Sequence, residues 1–120
     1  MIGLGPSLAF YFAVDPTDRR KSFDGLCGEV RRAVGREPTD GSVFVFVNRR
    51  RDRMKMLWWD RHGFWLLYKR LEAGRFELPG LGAGGSSLSL SYEQLVCIIE
   101  GIELSSVRRR KRYKYLQPTH

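Results

Sequence analysis

Three short apolar runs separated by two polar turns dominate the pattern of this chain. Val43-Phe44-Val45-Phe46-Val47 is β-branched or aromatic at every position. Asn48-Arg49-Arg50-Arg51-Asp52 interrupts it, and Met54 to Trp59 is apolar again except for Lys55. Asp60-Arg61-His62-Gly63 forms the second interruption and Phe64 to Tyr68 the third run. Runs of this kind joined by turn-compatible residues predict an antiparallel meander reaching about Arg70. Strand alternation puts Met54, Met56 and Trp58 on one face and Leu57 and Trp59 on the other, with Phe64, Leu66 and Tyr68 opposing Trp65 and Leu67. Both faces are therefore apolar. If helices cover one, the other needs a strand layer, a subunit or a ligand.

Before the meander, Leu8 to Val14 reads as a buried strand, ended by Asp15-Pro16 because proline biases its predecessor to extended geometry. Thr17 or Asp18 can cap a helix there. Phe23, Leu26, Cys27, Val30, Ala33 and Val34 recur at helical spacing, and Gly35 supplies a stop. After the meander, Glu72 to Arg75 is a turn and Phe76-Glu77-Leu78 a short fourth strand ended by Pro79. Gly80 to Ser87 is a Gly/Ser-rich linker, and Leu88 and Leu90 make a brief extended piece. Ser91 and Gln94 fit a capping box that opens a helix buried through Leu95, Val96, Ile98, Ile99 and Ile102. The expected order is β-α-β-β-β-β-α. That is an α+β fold, an antiparallel β-meander with two helices packed on one face. A single domain spans residues 1–107 and a basic tail residues 108–120, within a 120-residue chain.

Charge changes the picture more than composition does. The net charge is +8, and its distribution is uneven. Arg108, Arg109, Arg110, Lys111, Arg112 and Lys114 crowd the tail, leaving 15 basic residues against 13 acidic ones elsewhere. An excess of this sign points to an acidic partner such as nucleic acid. Arg49, Arg50, Arg51, Arg53 and Lys55 crowd one hairpin with only Asp52 among them. Arginine suits bidentate phosphate contact, so these five are candidate nucleic-acid contacts. Arg19, Arg20 and Lys21 form a second candidate cluster, in the first turn of the expected helix, where cations oppose the helix dipole. Neighbouring Asp15, Asp18 and Asp24 can neutralise them instead. Arg108 to Arg112 are the third cluster. Trp58, Trp59 and Trp65 are candidate partner contacts, with base stacking as the rarer use of the same rings.

Other chemistry reads blandly. Gly80-Leu81-Gly82-Ala83-Gly84-Gly85 matches Gly-x-Gly-x-x-Gly but lacks the following helix start and lysine of a phosphate loop, so it is a linker. His62 beside Asp60 is a turn residue rather than a catalytic base. Cys27 and Cys97 have no partner at metal spacing and read as buried thiols in a reducing compartment. No metal, cofactor or catalytic residue is assigned. No segment reaches membrane-spanning length and no basic stretch precedes Leu8, so neither a membrane anchor nor a secretory signal is expected.

Three blocks carry a resemblance. They are Asp15 to Leu26 (DPTDRRKSFDGL, similar to a PTDMRKGFDGL motif), Phe46 to Pro79 with its FVNRRRDRMKMLWWDRHG and LLYKRLEAGRFELP runs, and Leu95 to Glu103 (LVCIIEGIE). In this order they resemble the TnpB accessory family of insertion-sequence-sixty-six elements, which is unrelated to the RNA-guided nuclease of the same name. Arg19, Ser22 and Leu78 depart from the family's Met, Gly and Trp. The resemblance implies a non-enzymatic factor for transposition of an insertion sequence in the bacterial cytoplasm, beside a separate transposase that performs strand transfer. The expected partners are DNA (element ends or non-specific), the transposase, or both, with a homo-oligomer formed through the sheet as a further expectation. Two alternatives are a scaffold that docks the transposase through its aromatic face without touching DNA, and a metal-dependent nuclease.

Overall fold

The computed structural model describes residues 4–78 and 85–101. Five strands form one mixed sheet: β1 (Phe10–Ala13), β2 (Val43–Val47), β3 (Arg53–Trp59), β4 (Phe64–Arg70) and β5 (Ser87–Leu90), in the order β4-β3-β2-β1-β5. The meander is as its pattern predicts, with β2 to β4 antiparallel throughout. The sheet is not antiparallel overall, because β1 pairs in parallel with β2. A parallel neighbour requires a crossover connection, and a helix of residues 23–34 provides it.

That helix has two parts, α1 (Phe23–Glu29) and a π-helical turn, Val30–Val34, in which the Gly35 amide bonds back to the Val30 carbonyl. Gly35 stops it with φ 73°, a conformation that glycine adopts without penalty. The start differs from expectation. Neither Thr17 nor Asp18 caps the helix; Ser22 is the N-cap, without a side-chain bond. Asp18 instead folds its carboxylate onto the Arg20 amide at 2.9 Å, closing a local turn that holds residues 18–21 out of the helix. Helix α2 (Tyr92–Glu100) begins as predicted, with reciprocal Ser91–Gln94 bonds of 3.0 and 2.8 Å.

The two helices lie on opposite faces of the sheet, which corrects the one-face arrangement. Phe10, Phe12, Val43, Val45, Val47, Met54 and Leu90 pack with Leu95 and Ile98 of α2. Ala13, Phe44, Phe46 and Leu57 pack with Leu26 and Val30 on the other side. This is why β2 is buried at all five positions: a central strand covered on both sides reads as a continuous apolar run. It also removes most of the need for an external cover. Phe76-Glu77-Leu78 is not a strand. Phe76 is instead a fully buried plug in the α2-side core, and its amide bonds the Arg51 carbonyl at 2.7 Å. The sheet's fifth strand is the Ser87–Leu90 piece, whose alternation points Leu88 and Leu90 into that same core.

Candidate nucleic-acid interface

The hairpin between β2 and β3 is pinned by one side chain. Buried Asn48 accepts the amides of Asp52 and Arg53 on its Oδ1 at 3.0 and 2.9 Å, and its Nδ2 donates to Asp52 Oδ1 at 2.7 Å. This bond holds the Asp52 carboxyl below its ordinary range, helped by the charges of Arg53 and Arg50. The Leu71 amide bonds the Asp52 carbonyl at 2.8 Å, so the following turn braces the hairpin from behind. Arg49, Arg50 and Arg51 are left exposed at the tip, and none has a side-chain hydrogen bond or ion pair among the described residues. Arg51 sits at φ 61°, in left-handed backbone that a residue with a side chain adopts at a cost.

A second chain segment is brought to this tip from more than two dozen residues away. Thr17 donates its amide to the Val47 carbonyl at 3.0 Å. Lys55 donates its ammonium to the carbonyls of Arg19 and Lys21, both at 2.6 Å, and stands 4.9 Å from the Tyr68 ring centroid. Lys55 is therefore a clamp on residues 19–21, its cation already committed. The clamp places Arg19 beside the hairpin. Pro16, Thr17, Asp18, Arg19, Asn48, Arg49 and Arg50 line a cavity of about 400 Å³. A neighbouring groove of about 460 Å³ is lined by Arg19, Arg53, Tyr68, Arg70 and Glu72. Thr17 sits between hairpin and loop with a buried hydroxyl that makes no hydrogen bond among the described residues, an arrangement uncommon in ordinary packing.

The other candidates are placed differently. Arg20 is ion-paired with Asp18 at 2.8 Å and Lys21 with Glu29 at 2.8 Å. Glu29 also takes Arg32 at 2.6 Å, and these two hydrogen bonds, Arg32's the stronger influence, lower its pKa to about 2. Residues 19–21 precede the helix, whose N-cap is Ser22, instead of forming its first turn. Arg53 lies 3.7 Å from Asp52 and is half-buried. Arg108 to Arg112 lie outside the described residues. The three tryptophans do not form one patch. Trp58 and Trp65 are cross-strand partners on the α2 side, Trp58 half-buried against the core. Trp65 is 45% exposed and donates its indole N–H to Asp60 at 2.7 Å. Trp59 is on the opposite face, edge-on to Phe64 at 5.0 Å. His62 is exposed in the second turn, and both cysteines are half-buried, with burial raising the pKa of Cys27. Among the described residues no group of three His, Cys, Asp or Glu side chains is disposed to hold a metal ion, and no helix is long and apolar enough to cross a membrane.

Sequence reasoning missed Thr17, Tyr68 and Arg70 as members of this surface. Tyr68 and Arg70 share a face with Lys55 and Arg53 through the pairings Lys55↔Tyr68 and Arg53↔Arg70. The alternation of β4 carried that signal once the register is known.

The sequence model of the family described as IS66 Orf2 like protein matches residues 8–109. The chain belongs to this family. It is 34% identical over 110 residues to the uncharacterized protein y4jC of Sinorhizobium fredii, covering 92% of each chain. It is likewise 34% identical over 103 residues to the uncharacterized protein y4hO of the same organism, covering 86% of this chain and 88% of that one. No solved structure matches it. The match spans every described element and both segments of the basic surface, and membership supports an accessory role in insertion-sequence transposition.

Proposed function

We propose that this IS66 Orf2-like protein is a non-catalytic transposition factor that binds the DNA backbone through Arg49, Arg50 and Arg51 together with Arg19. The observation that carries this reading is the convergence of Arg19 with Arg49 and Arg50 around one cavity, where the one carboxylate among the described lining residues, Asp18, is already taken by Arg20. Like charges so placed repel one another until an anion arrives, and phosphate is the anion that arginine pairs with best. Arg51 joins them as a third exposed arginine of the same tip, without a side-chain hydrogen bond or ion pair among the described residues. Arg53 flanks this set, Arg20 and Lys21 border it as ion-paired neighbours, and Arg108 to Arg112, outside the described residues, would supply a second, sequence-independent contact. Such a factor holds element DNA for the transposase, as a monomer or an oligomer.

The test is the salt dependence of binding to duplex DNA. Replacing Arg49, Arg50 and Arg51 with alanine should reduce the slope of log affinity against log salt by about 0.9 for each phosphate that the variant no longer neutralises. An unchanged slope in a folded triple variant would remove the hairpin from the interface.

A second reading is favoured by Trp65. Its exposed ring lies on the α2 side, where Met54, Met56, Leu67, Tyr68, Lys69 and Ile99 line a small hollow of about 80 Å³. An aromatic anchor beside an apolar hollow suits protein docking, here of the transposase, with Trp58 beneath and Trp59 on the far face contributing less. Pulldown of the cognate transposase, with and without element-end DNA, by wild type and Trp65→Ala separates the two readings.

A further inference from the structure

Tyr68 is the most exposed large aromatic side chain among the described residues, at 55%, and it is surrounded by cations. On its own face of the sheet, strand register sets it between Arg70 on β4 and Lys55 and Arg53 on β3. Arg19 closes the groove from the loop clamped by Lys55. Trp65 is a larger exposed ring, but it points to the opposite face and is tied to the Asp60 carboxylate. The two rings therefore have opposite electrostatic surroundings.

We propose that the groove takes an unpaired base of single-stranded DNA, stacked on Tyr68, with flanking phosphates on Arg19, Arg53 and Arg70. This rests on the reading of the chain as a DNA-binding factor and specifies the form of DNA at one part of that surface. The groove's 460 Å³ falls in the range of small-molecule pockets, roughly 300–1,000 Å³. An aromatic ring in a basic groove is the arrangement by which proteins hold single strands without reading sequence. In a duplex, neighbouring bases cover the faces that the ring would need. Lys55 stands over one face of the Tyr68 ring, 4.9 Å from its centroid, and draws the ring toward β3, so a base would stack on the other face. The Arg70–Glu72 pair, at 2.8 Å, is well exposed on both sides, so exchanging Glu72 for phosphate costs Arg70 little.

The experiment compares oligodeoxythymidylate, an abasic oligomer and a duplex, all of equal length, by fluorescence anisotropy at one salt concentration. Wild type should bind oligodeoxythymidylate about ten-fold or more tighter than the abasic oligomer, which keeps the phosphates and lacks the stacking faces. Tyr68→Leu should lose that preference, Tyr68→Phe should keep it, and duplex affinity should change in neither. Equal binding of the two oligomers by wild type overturns the proposal without recourse to a variant. So does a Tyr68→Leu protein that keeps the preference, or one in which single-strand and duplex binding fall together. Wild type that binds duplex but neither oligomer overturns the groove and leaves the arginine hairpin standing. Binding of none of the three overturns both.

Discussion

The two hairpins of the meander are built from similar residues and end up as different surfaces. Each carries arginine in left-handed backbone, Arg51 at φ 61° in the first and Arg61 at φ 74° in the second. Each has a carboxylate at hand, Asp52 and Asp60. The first is braced by the Asn48 side chain, by the Leu71 and Phe76 amides and by the neighbouring Thr17 segment. The second is closed by a hydrogen bond from the Asp60 amide to the Gly63 carbonyl at 3.1 Å and by the Trp65 indole N–H donated to the Asp60 carboxylate. Among the described residues, no hydrogen bond or ion pair joins a further cation to it. An arginine turn thus becomes a candidate interface through what the fold sets beside it, rather than through its own composition.

The first hairpin depends most heavily on Asn48. Replacing it with alanine removes three hydrogen bonds from a buried site and leaves two backbone amides without their acceptor. The expected loss is about 2–3 kcal/mol of stability, measured by denaturant unfolding. Asp60→Ala, which frees one exposed indole, should cost under about 1 kcal/mol. Similar losses at the two positions would mean that the first hairpin is no better fixed than the second.

DNA binding should separate the hairpins next. Arg49, Arg50 and Arg51 changed together should weaken duplex binding and flatten its salt slope, whereas Arg61→Ala with His62→Ala should change neither. Equal effects at both tips would reduce the interface to general positive charge.

Much of this fold was legible in local pattern. The boundaries of β2, the two meander turns, the Gly35 stop and the Ser91–Gln94 box each depend on a few adjacent residues, and each is found where those residues put it. The errors share a different cause. The parallel pairing of β1 and β2 and the placement of the helices on opposite faces are decided by long-range topology, and the buried run of β2 fits either arrangement. The late helix start depends on Asp18 choosing the Arg20 amide over a capping role. The same limit applies to the site. The hairpin arginines were visible as a cluster, but their meeting with Arg19 depends on the Lys55 clamp. In the sequence Lys55 counts as one more cation of the hairpin, and nothing adjacent to it reveals that carbonyls occupy its ammonium.

The loop carrying Arg19 is also held from its far end, through Lys21 and Glu29, and this tie should have a pH signature. The Glu29 carboxyl is lowered from 4.5 to about 2 in the folded chain. A depressed carboxylate contributes stability above its unfolded value and loses it as pH falls toward the folded one. Wild type should therefore exceed Glu29→Gln in melting temperature above pH 4.5, by an amount worth about 1 kcal/mol or less given the exposure of Lys21 and Arg32. The two curves should converge as pH falls toward 2. A constant gap across that window would mean that Glu29 acts by packing and not by charge.

At both turns arginine stands in left-handed backbone, where glycine would fit with less strain. Arg51→Gly and Arg61→Gly each remove the steric cost of a side chain in left-handed backbone. Each also gives the unfolded chain more freedom to lose, which takes back part of the gain. The net stabilisation should be about 0.5–1 kcal/mol at either turn, read as a modest rise in melting temperature. The two variants should then part in DNA binding. Arg51→Gly should be more stable and bind duplex DNA less tightly, with a shallower salt slope, whereas Arg61→Gly should be more stable and bind as before. Weakened binding at Arg51 alone would mark its backbone conformation as a cost retained for the side chain it presents. Unchanged binding in both variants would leave two strained turns that differ only in their bracing, and Arg49, Arg50 and Arg19 would have to carry the interface without Arg51.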